Sequence, residues 1–175
     1  YGLTEEQLMD FHRPRMKALT EAGADMLACE TIPTPIEARA LVRLLGEFKG
    51  MNAWISFSCR DEAHVCEGEK LAEGIRQVEW SPQVAAVGVN CTSPKFIPPL
   101  IREAKKVTDK PILVYPNSGE SYSAEKKDWN DDPVYESFGE EARVWYEAGA
   151  RLIGGCCRTS PEDIRAIASW ARKSH

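Results

Sequence analysis

The amino-acid sequence predicts an α/β fold built on a parallel sheet, and its hydrophobic patterning carries the prediction. Five strand-like runs are nearly continuous in apolar residues rather than alternating, which is typical of strands buried on both faces. Helical patterns separate the runs, so strands and helices alternate along the 175 residues and imply right-handed βαβ units. The runs are residues 25–30, 53–59, 84–91, 111–117 and 151–157.

A second observation, a weak internal repeat, favours a (β/α)8 barrel of the TIM type. Residues 21–41, EAGADMLACETIPTPIEARAL, align without gaps on residues 147–167, EAGARLIGGCCRTSPEDIRAI. In both copies a glycine ends one helix, a strand follows at once, and a Thr/Ser-Pro pair begins the next helix. A repeated βα unit favours a barrel over a doubly wound sheet. The alignment sets Glu30 opposite Cys156, which predicts both at the carboxyl end of a strand, where such barrels carry their chemistry.

The helices are predicted from their start signals and their apolar periodicity. The first covers residues 4–22, where Thr4 and Gln7 have the spacing of a capping box. The second begins at Thr34, is followed at once by a proline, and has Glu37 in place to complete a second box. The other helical patterns are residues 67–78, 93–107, 137–149 and 160–173, the last beginning with Ser-Pro.

The number of units predicts that residues 1–175 form only the C-terminal part of one barrel domain. Five βα units are visible where a barrel has eight, and at roughly 30–35 residues per unit about a hundred residues would precede them. The chain also begins with Tyr1 rather than methionine. We therefore expect the N-terminal strands to be absent from this sequence. Because an open barrel fragment exposes strand edges and apolar surface, we expect self-association or pairing with the missing N-terminal part.

Composition excludes several classes of partner. The formal net charge of -5 argues against nucleic acid, and the absence of any apolar run of transmembrane length argues against a membrane. The N-terminus has no signal-peptide pattern. Six cysteines are spread through a long chain, which favours reduced thiols in a cytoplasmic protein over a disulfide framework.

Three of the cysteines lie where strands end. Cys91 closes the run 84–91, and the adjacent pair Cys156 and Cys157 closes the run 151–157. Since the strands are parallel, all three thiols are expected on one face of the barrel. Neighbouring cysteines are poor disulfide partners, but both can ligate one metal ion if the backbone bends sharply, and Gly154 and Gly155 are expected to give that freedom.

The predicted metal is zinc, because thiolates are soft ligands that suit it. Three protein ligands leave a fourth position open, as in catalytic zinc sites, and an incoming thiol would lose its proton there near neutral pH. The chemistry implied is attack by a substrate sulfur. A single cysteine at a buried strand end is more often a small core residue, and that interpretation is kept for Cys29, Cys59 and Cys66.

Five further motifs are informative together: GVNCTSP, VYPNSGE and IGGCCRTSPEDI, with DMLACETIP and FHRPRMKAL upstream. They resemble the homocysteine S-methyltransferase family, and the resemblance covers essentially the whole chain. It implies a zinc-dependent, homocysteine-binding barrel that forms methionine, with Cys91, Cys156 and Cys157 as zinc ligands and the homocysteine sulfur in the open position.

The resemblance also implies substrate-binding residues. Glu30 matches the acid that receives the substrate ammonium; the alternative is a helix-start or salt-bridge carboxylate. Asn90 either orients the sulfur or closes a turn, and Asn117 is expected to shape the loop over the site. Tyr122 and Trp129 either flank a cationic methyl donor or pack as ordinary loop aromatics.

The motif YPNSGESYSAEKKDW resembles the branch of the family that uses a sulfonium donor, S-methylmethionine or S-adenosylmethionine. Two alternatives stay open. One is a cobalamin- or betaine-dependent homocysteine methyltransferase module, and the other is a non-catalytic zinc-binding barrel fragment.

Overall fold

A computed structural model describes residues 2–119, 122–123, 125–129 and 137–173 and confirms the parallel α/β fold. The strands are β1 (Leu27–Ile32), β2 (Ala53–Phe57), β3 (Val84–Asn90), β4 (Ile112–Tyr115), β5 (Tyr122–Ser123), β6 (Asp128–Trp129) and β7 (Ala150–Ile153). The helices are α1 (Glu5–Glu21), α2 (Pro35–Leu45), α3 (Leu71–Arg76), α4 (Ile97–Lys105), α5 (Phe138–Ala148) and α6 (Pro161–Lys173), with a 3-10 turn at Pro94–Phe96.

Five strands form one parallel sheet in the order β1-β2-β3-β4-β7. The order follows the chain, as in a barrel wall, and places β1 and β7 at the two edges. The short antiparallel pair of β5 and β6 lies between β4 and α5 and has no counterpart among the predicted strands.

The central strands meet the expectation of burial on both faces, whereas the edge strands do not. In β2 and β3 nearly every residue is buried, because helices cover one face and neighbouring strands cover the edges. In β1 and β7 about half of the residues are exposed, and Leu152 of β7 keeps 51% of its surface exposed. Close packing in the centre also explains Gly88: a Cβ there would overlap the backbone of Leu113 on β4.

The helix starts agree with two of the three capping signals. Thr4 and Gln7 form the predicted box at α1, with distances of 3.3 Å and 2.8 Å for its two hydrogen bonds. At α2 the predicted cap, Thr34, and the proline that begins the helix are confirmed, but the Glu37 half of the box is wrong. Thr34 accepts from the Glu37 backbone N–H, but the Glu37 carboxylate turns away to His12, 2.9 Å from its Nε2.

The described helices include none that combines the length and the apolar character needed to cross a membrane.

Candidate metal and substrate site

The structure brings the three predicted thiols together at the carboxyl ends of two strands. Cys91 directly follows β3, and the pair Cys156 and Cys157 comes shortly after β7. Because β4 lies between β3 and β7, the two groups reach one point from either side. The three Sγ atoms lie within 4.8 Å of one another, and Cys157 Sγ is 3.9 Å from that of Cys91 and 4.0 Å from that of Cys156.

The Sγ atoms of the remaining pair, Cys91 and Cys156, are in direct contact, with a Cα–Cα distance of 5.6 Å. Gathering three thiols at one point brings these two within reach of oxidation to a disulfide. Cys157 is a free thiol, as are Cys29, Cys59 and Cys66. Metal binding at this cluster therefore requires the reduced form.

The end of β4 and the residues that follow it hold the two cysteine-bearing loops in place through backbone hydrogen bonds. The N–H of Cys91 donates to the Tyr115 carbonyl at 3.2 Å, and the N–H of Cys156 donates to the Pro116 carbonyl at 2.8 Å. Two further bonds join Asn117 N–H to the Thr92 carbonyl and Ser118 N–H to the Cys157 carbonyl, at 3.1 Å and 3.0 Å. Both cysteine loops are thus fixed to the same stretch of chain.

The sharp bend that aims the thiols lies elsewhere than predicted. Gly154 and Gly155 do not have positive φ, whereas Cys91 has φ 46° and Arg158 has φ 64°. A non-glycine residue held in this region is strained, and such strain is frequent at functional sites. Gly155 is needed for another reason, because a Cβ there would overlap the Thr159 side chain; Gly154 has room for one.

The donor set fits a tetrahedral metal ion with sulfur ligands, and two of the three sulfur–sulfur separations match one. Zinc–sulfur bonds of about 2.3 Å at tetrahedral angles separate two sulfurs by about 3.8 Å. The two distances from Cys157 Sγ, 3.9 Å and 4.0 Å, are close to that value. Cys91 and Cys156 are half-buried and Cys157 is exposed, so an added ligand can reach the cluster from the solvent side.

Glu30 lies on the edge strand β1 at a β-bulge. Cys29 pairs with Ile55 and Ile32 with Phe57, so Glu30 and Thr31 together face the one residue between, Ser56. Thr31 has φ 60°. Bulges re-aim side chains and are frequent beside active sites. The exposed Glu30 carboxylate accepts a hydrogen bond from the Tyr115 hydroxyl at 3.0 Å and makes no ion pair among the described residues. It also lies outside α2, so the geometry fits neither alternative interpretation of this residue.

The side chain of Asn90 fastens β3 to the bulge of β1. It is buried, with 1% exposed. Its Oδ1 accepts from the Thr31 backbone N–H at 2.8 Å and from the Ser56 hydroxyl at 2.7 Å, and its Nδ2 donates to Thr31 Oγ1 at 2.8 Å. The side chain therefore joins neighbouring strands instead of closing a turn, and its role toward a substrate sulfur stays a prediction.

Asn117 lies in the segment after β4 that is hydrogen-bonded to both cysteine loops, and its role in shaping a loop over the site stays a prediction. Its backbone holds Thr92, while its side-chain Oδ1 is buried without a hydrogen-bond partner among the described residues. Tyr122 and Trp129 are described only through their backbone pairing, and their side chains lie outside the described part of the chain.

Sequence reasoning missed Tyr115, the last residue of β4. Its hydroxyl contacts Glu30, Ser56 and the Trp54 indole N–H. Burial raises the pKa of Tyr115 to about 12, so the hydroxyl is protonated at neutral pH. The signal that would have found it is position: a polar side chain at the carboxyl end of a predicted parallel strand, beside two strands already assigned functional residues.

The polar side chains of Asp61 and His64, in the loop after β2, form hydrogen bonds within that loop. Asp61 accepts from the Ala63 backbone N–H at 2.9 Å and from the His64 ring. These hydrogen bonds hold the pKa of Asp61 at about 2, with the Ala63 N–H as the largest cause. His64 therefore has a local partner, and no described contact joins it to the thiol cluster.

The fold and the cluster together define a class: a parallel barrel-type α/β protein with three cysteines, able to hold a metal ion, gathered at the carboxyl ends of its strands. The model of the homocysteine S-methyltransferase family matches residues 1–171. The chain belongs to the homocysteine S-methyltransferase family.

Two relatives illustrate the match. The chain is 58% identical over 172 residues to homocysteine S-methyltransferase YbgG of Bacillus subtilis, covering 98% of this chain and 55% of that protein. It is 50% identical over 173 residues to homocysteine S-methyltransferase 2 of Arabidopsis thaliana, covering 95% of this chain and 52% of that protein. The chain thus spans about half the length of the curated relatives it matches.

Among solved structures, the fold is similar to that of the homocysteine methyltransferase MmuM from Escherichia coli. The TM-score to its apo form is 0.83 at 37% identity, covering 97% of this chain and 58% of that one. The TM-score to its metallated form is 0.82 at 39% identity, covering 98% and 53%. This likeness identifies the five-stranded sheet as TIM-barrel type, as the internal repeat predicts.

Proposed function

We propose that the protein transfers a methyl group from a sulfonium donor to the thiolate of homocysteine and so forms methionine. The observation that carries the proposal is the convergence of the Cys91, Cys156 and Cys157 sulfurs at the carboxyl ends of β3 and β7. Membership of the homocysteine S-methyltransferase family supports the acceptor. S-methylmethionine and S-adenosylmethionine are the proposed donors.

The three cysteines would hold zinc as thiolates. When bound, zinc supplies a positive charge that keeps an added thiol deprotonated at neutral pH. Three thiolates give the site a net negative charge, which keeps the substrate sulfur nucleophilic. The backbone bonds from the segment after β4 hold the ligands in place, so little reorganisation is needed when the substrate arrives.

The substrate amino acid would be oriented by Glu30. The carboxylate is exposed, has no described cationic partner, and lies on a bulge of the strand that precedes β2 and β3 in the sheet. It is therefore free to pair with the ammonium group of homocysteine. Asn90 would act by holding this bulge in place, and Asn117 by shaping the loop over the sulfur.

The methyl transfer balances without an oxidant or a further cofactor. The homocysteine sulfur attacks the donor methyl carbon in line, a sulfur–carbon bond forms, and the donor sulfur–methyl bond breaks with its electron pair kept by the donor sulfur. The cationic donor becomes a neutral thioether, and the thiolate becomes methionine. A thioether would be a poor ligand for a zinc ion held by the three cysteines, which would favour release of methionine.

We further propose that residues 1–175 are the C-terminal five βα units of a homocysteine-binding barrel whose N-terminal strands complete the wall. The open edges of β1 and β7 and the half-length match to the relatives support this. The same features favour the second candidate, a zinc-binding fragment without turnover.

The test measures methionine formation by the reduced, zinc-loaded protein from homocysteine and each of four donors: S-methylmethionine, S-adenosylmethionine, betaine and methylcobalamin. We expect turnover with a sulfonium donor and its loss in Cys157→Ser. The matched control is Cys66→Ser, which changes another exposed free thiol. Turnover only with betaine or methylcobalamin would overturn the proposal of a sulfonium donor. Zinc binding without any turnover would favour the non-catalytic zinc-binding fragment. Normal turnover of Cys157→Ser would overturn the assignment of the cysteine cluster as the reaction site.

A further inference from the structure

We propose that Tyr115 is a positioning residue for substrate recognition: its hydroxyl holds the Glu30 carboxylate in the orientation that receives the substrate ammonium. The inference rests on the proposed function, because it assumes an amino thiol bound at the cysteine cluster. It adds to that function the residue that sets the distance between the sulfur site and the ammonium site.

The Tyr115 hydroxyl is fixed from three sides. It donates to Glu30 Oε2 at 3.0 Å and accepts from the Trp54 indole N–H at 3.2 Å. The Ser56 hydroxyl lies 2.5 Å away, and its single proton can go either to Tyr115 or to the Asn90 side chain. A hydroxyl with this many partners cannot rotate freely, so the direction in which it donates is set by the strands around it.

Glu30 needs such a partner because nothing else described holds its carboxylate. It is exposed, it lies on an edge strand, and it makes no ion pair within the described residues. A hydrogen bond from a neutral hydroxyl fixes one carboxylate oxygen without cancelling the negative charge. The charge is thereby kept for an incoming cation, whereas an arginine or lysine partner would neutralise it.

Tyr115 is also tied to the cysteine cluster through its backbone. Its carbonyl accepts the N–H of Cys91 at 3.2 Å, and its neighbour Pro116 accepts the N–H of Cys156 at 2.8 Å. One residue thus contacts a proposed metal ligand with its main chain and the proposed ammonium receptor with its side chain. The spacing between the two sites therefore depends on Tyr115, and that spacing selects the length of the amino thiol.

The test compares two thiols that differ only in the amino group, L-homocysteine and 4-mercaptobutyrate. Their dissociation constants are measured by titration calorimetry on the reduced, zinc-loaded protein and on Tyr115→Phe. We expect wild type to prefer homocysteine, and Tyr115→Phe to lose about tenfold in affinity for homocysteine, the size of a hydrogen bond to a charged group. Affinity for 4-mercaptobutyrate and zinc content should not change.

Two further variants keep the result interpretable. Tyr146→Phe, on α5, removes a tyrosine hydroxyl away from the site and should change neither affinity. Trp54→Phe keeps the Tyr115 hydroxyl but removes one hydrogen bond that fixes it, and should give a smaller loss in the same direction. If Tyr115→Phe fails to fold or to hold zinc, Trp54→Phe decides.

The possible outcomes distinguish a failure of the proposed role of Tyr115 from a failure of the proposed function. Equal loss for both thiols, or no loss for either, would overturn the role of Tyr115 while leaving the proposed function in place. A wild-type protein that binds both thiols equally would overturn the role of Glu30 and with it that of Tyr115. Failure of the wild-type protein to bind either thiol would overturn the proposed function itself.

Discussion

The two copies of the internal repeat form the two edges of the sheet, and they differ where the chemistry lies. The first copy contains β1 and the start of α2, and the second contains β7 and the start of α6. The shared residues have the same structural roles in both copies. Gly23 and Gly149 follow the preceding helices with φ values of 84° and 127°. Thr34 and Ser160 each precede a helix that begins with proline.

The residues between strand and helix behave differently at the two edges. Glu30 stays inside β1 at a bulge, whereas Cys156 lies beyond the end of β7 in a loop fixed to Pro116. The prediction that both close a strand therefore holds only approximately. The repeat thus specifies the βα scaffold unit, while a few residues near the end of the strand decide whether that unit presents a carboxylate or thiols.

The largest expected difference between the edges is in thiol reactivity. Burial, and then the negative charge of Glu30, raise the pKa of Cys29 on β1 to about 12, so at pH 8 only about one thiol in 10⁴ is ionised. Cys157 beyond β7 is exposed. We expect iodoacetamide to modify reduced Cys157 on the order of 10³-fold faster than Cys29, measured by mass spectrometry of digests.

Zinc should protect Cys157 from this modification but leave Cys66, an exposed thiol outside the cluster, unprotected. Equal protection of both residues would mean that zinc binds without the selectivity that the cluster predicts. Rapid modification of Cys29 would show that the β1 edge is more open than its geometry indicates.

The next effect is on stability, at the link between β1 and β3. Asn90→Ala removes three hydrogen bonds, although the Ser56 hydroxyl keeps Tyr115 as a partner. We expect a loss of about 3 kcal/mol in the free energy of unfolding, because each hydrogen bond contributes about 0.5–1.5 kcal/mol. Urea denaturation measures it, with the exposed Asn52→Ala as control. A loss in the free energy of unfolding no larger than that of the control would contradict the role of Asn90 in linking β3 to β1.

A smaller effect is expected at the β7 edge, from the two glycines before the cysteines. A Cβ at Gly155 would overlap Thr159, whose hydroxyl bonds the Cys156 carbonyl at 2.7 Å, so Gly155→Ala should shift the loop that carries the thiols. We expect about 1–3 kcal/mol of destabilisation and weaker zinc binding. Gly154→Ala has room and should cost little. Thermal melts and zinc competition with a chelator measure both, and equal behaviour of the two variants would refute the explanation.

The smallest effect separates the two helix starts. Ser160 and Asp163 exchange hydrogen bonds at the start of α6, whereas the Glu37 carboxylate at the start of α2 bonds His12 instead of completing the box. A double-mutant cycle of Ser160→Ala with Asp163→Ala should give a coupling energy of about 0.5–1 kcal/mol. The cycle of Thr34→Ala with Glu37→Gln should give almost none. Equal coupling energies in both cycles would show that the capping box at the start of α2 forms as well.

The sequence predicted the parallel sheet, its five strands and the six helices well, because buried strands and capped helices leave strong local signals. It failed where tertiary contacts decide. Glu37 has the spacing of a capping box, but a buried histidine on another helix competes for its carboxylate. The bend at the cysteines was assigned to glycines, but the strained backbone is at Cys91 and Arg158, where the fold imposes a conformation that local sequence disfavours.

The candidate site divides in the same way. Cys91, Cys156 and Cys157 were found because strand ends in a parallel sheet meet on one face, and the structure brings their sulfurs together. Tyr115 was missed because its role depends on which side chains of two other strands, β1 and β2, face it.

The central claim is that one metal ion binds to three sulfur atoms and keeps one position for a substrate thiol. X-ray absorption at the zinc edge of the reduced, zinc-loaded protein tests it directly, with and without L-homocysteine. We predict three sulfur neighbours at about 2.3 Å, rising to four when homocysteine is added. Zinc surrounded only by nitrogen and oxygen, or a sulfur count that does not rise with homocysteine, would contradict the account.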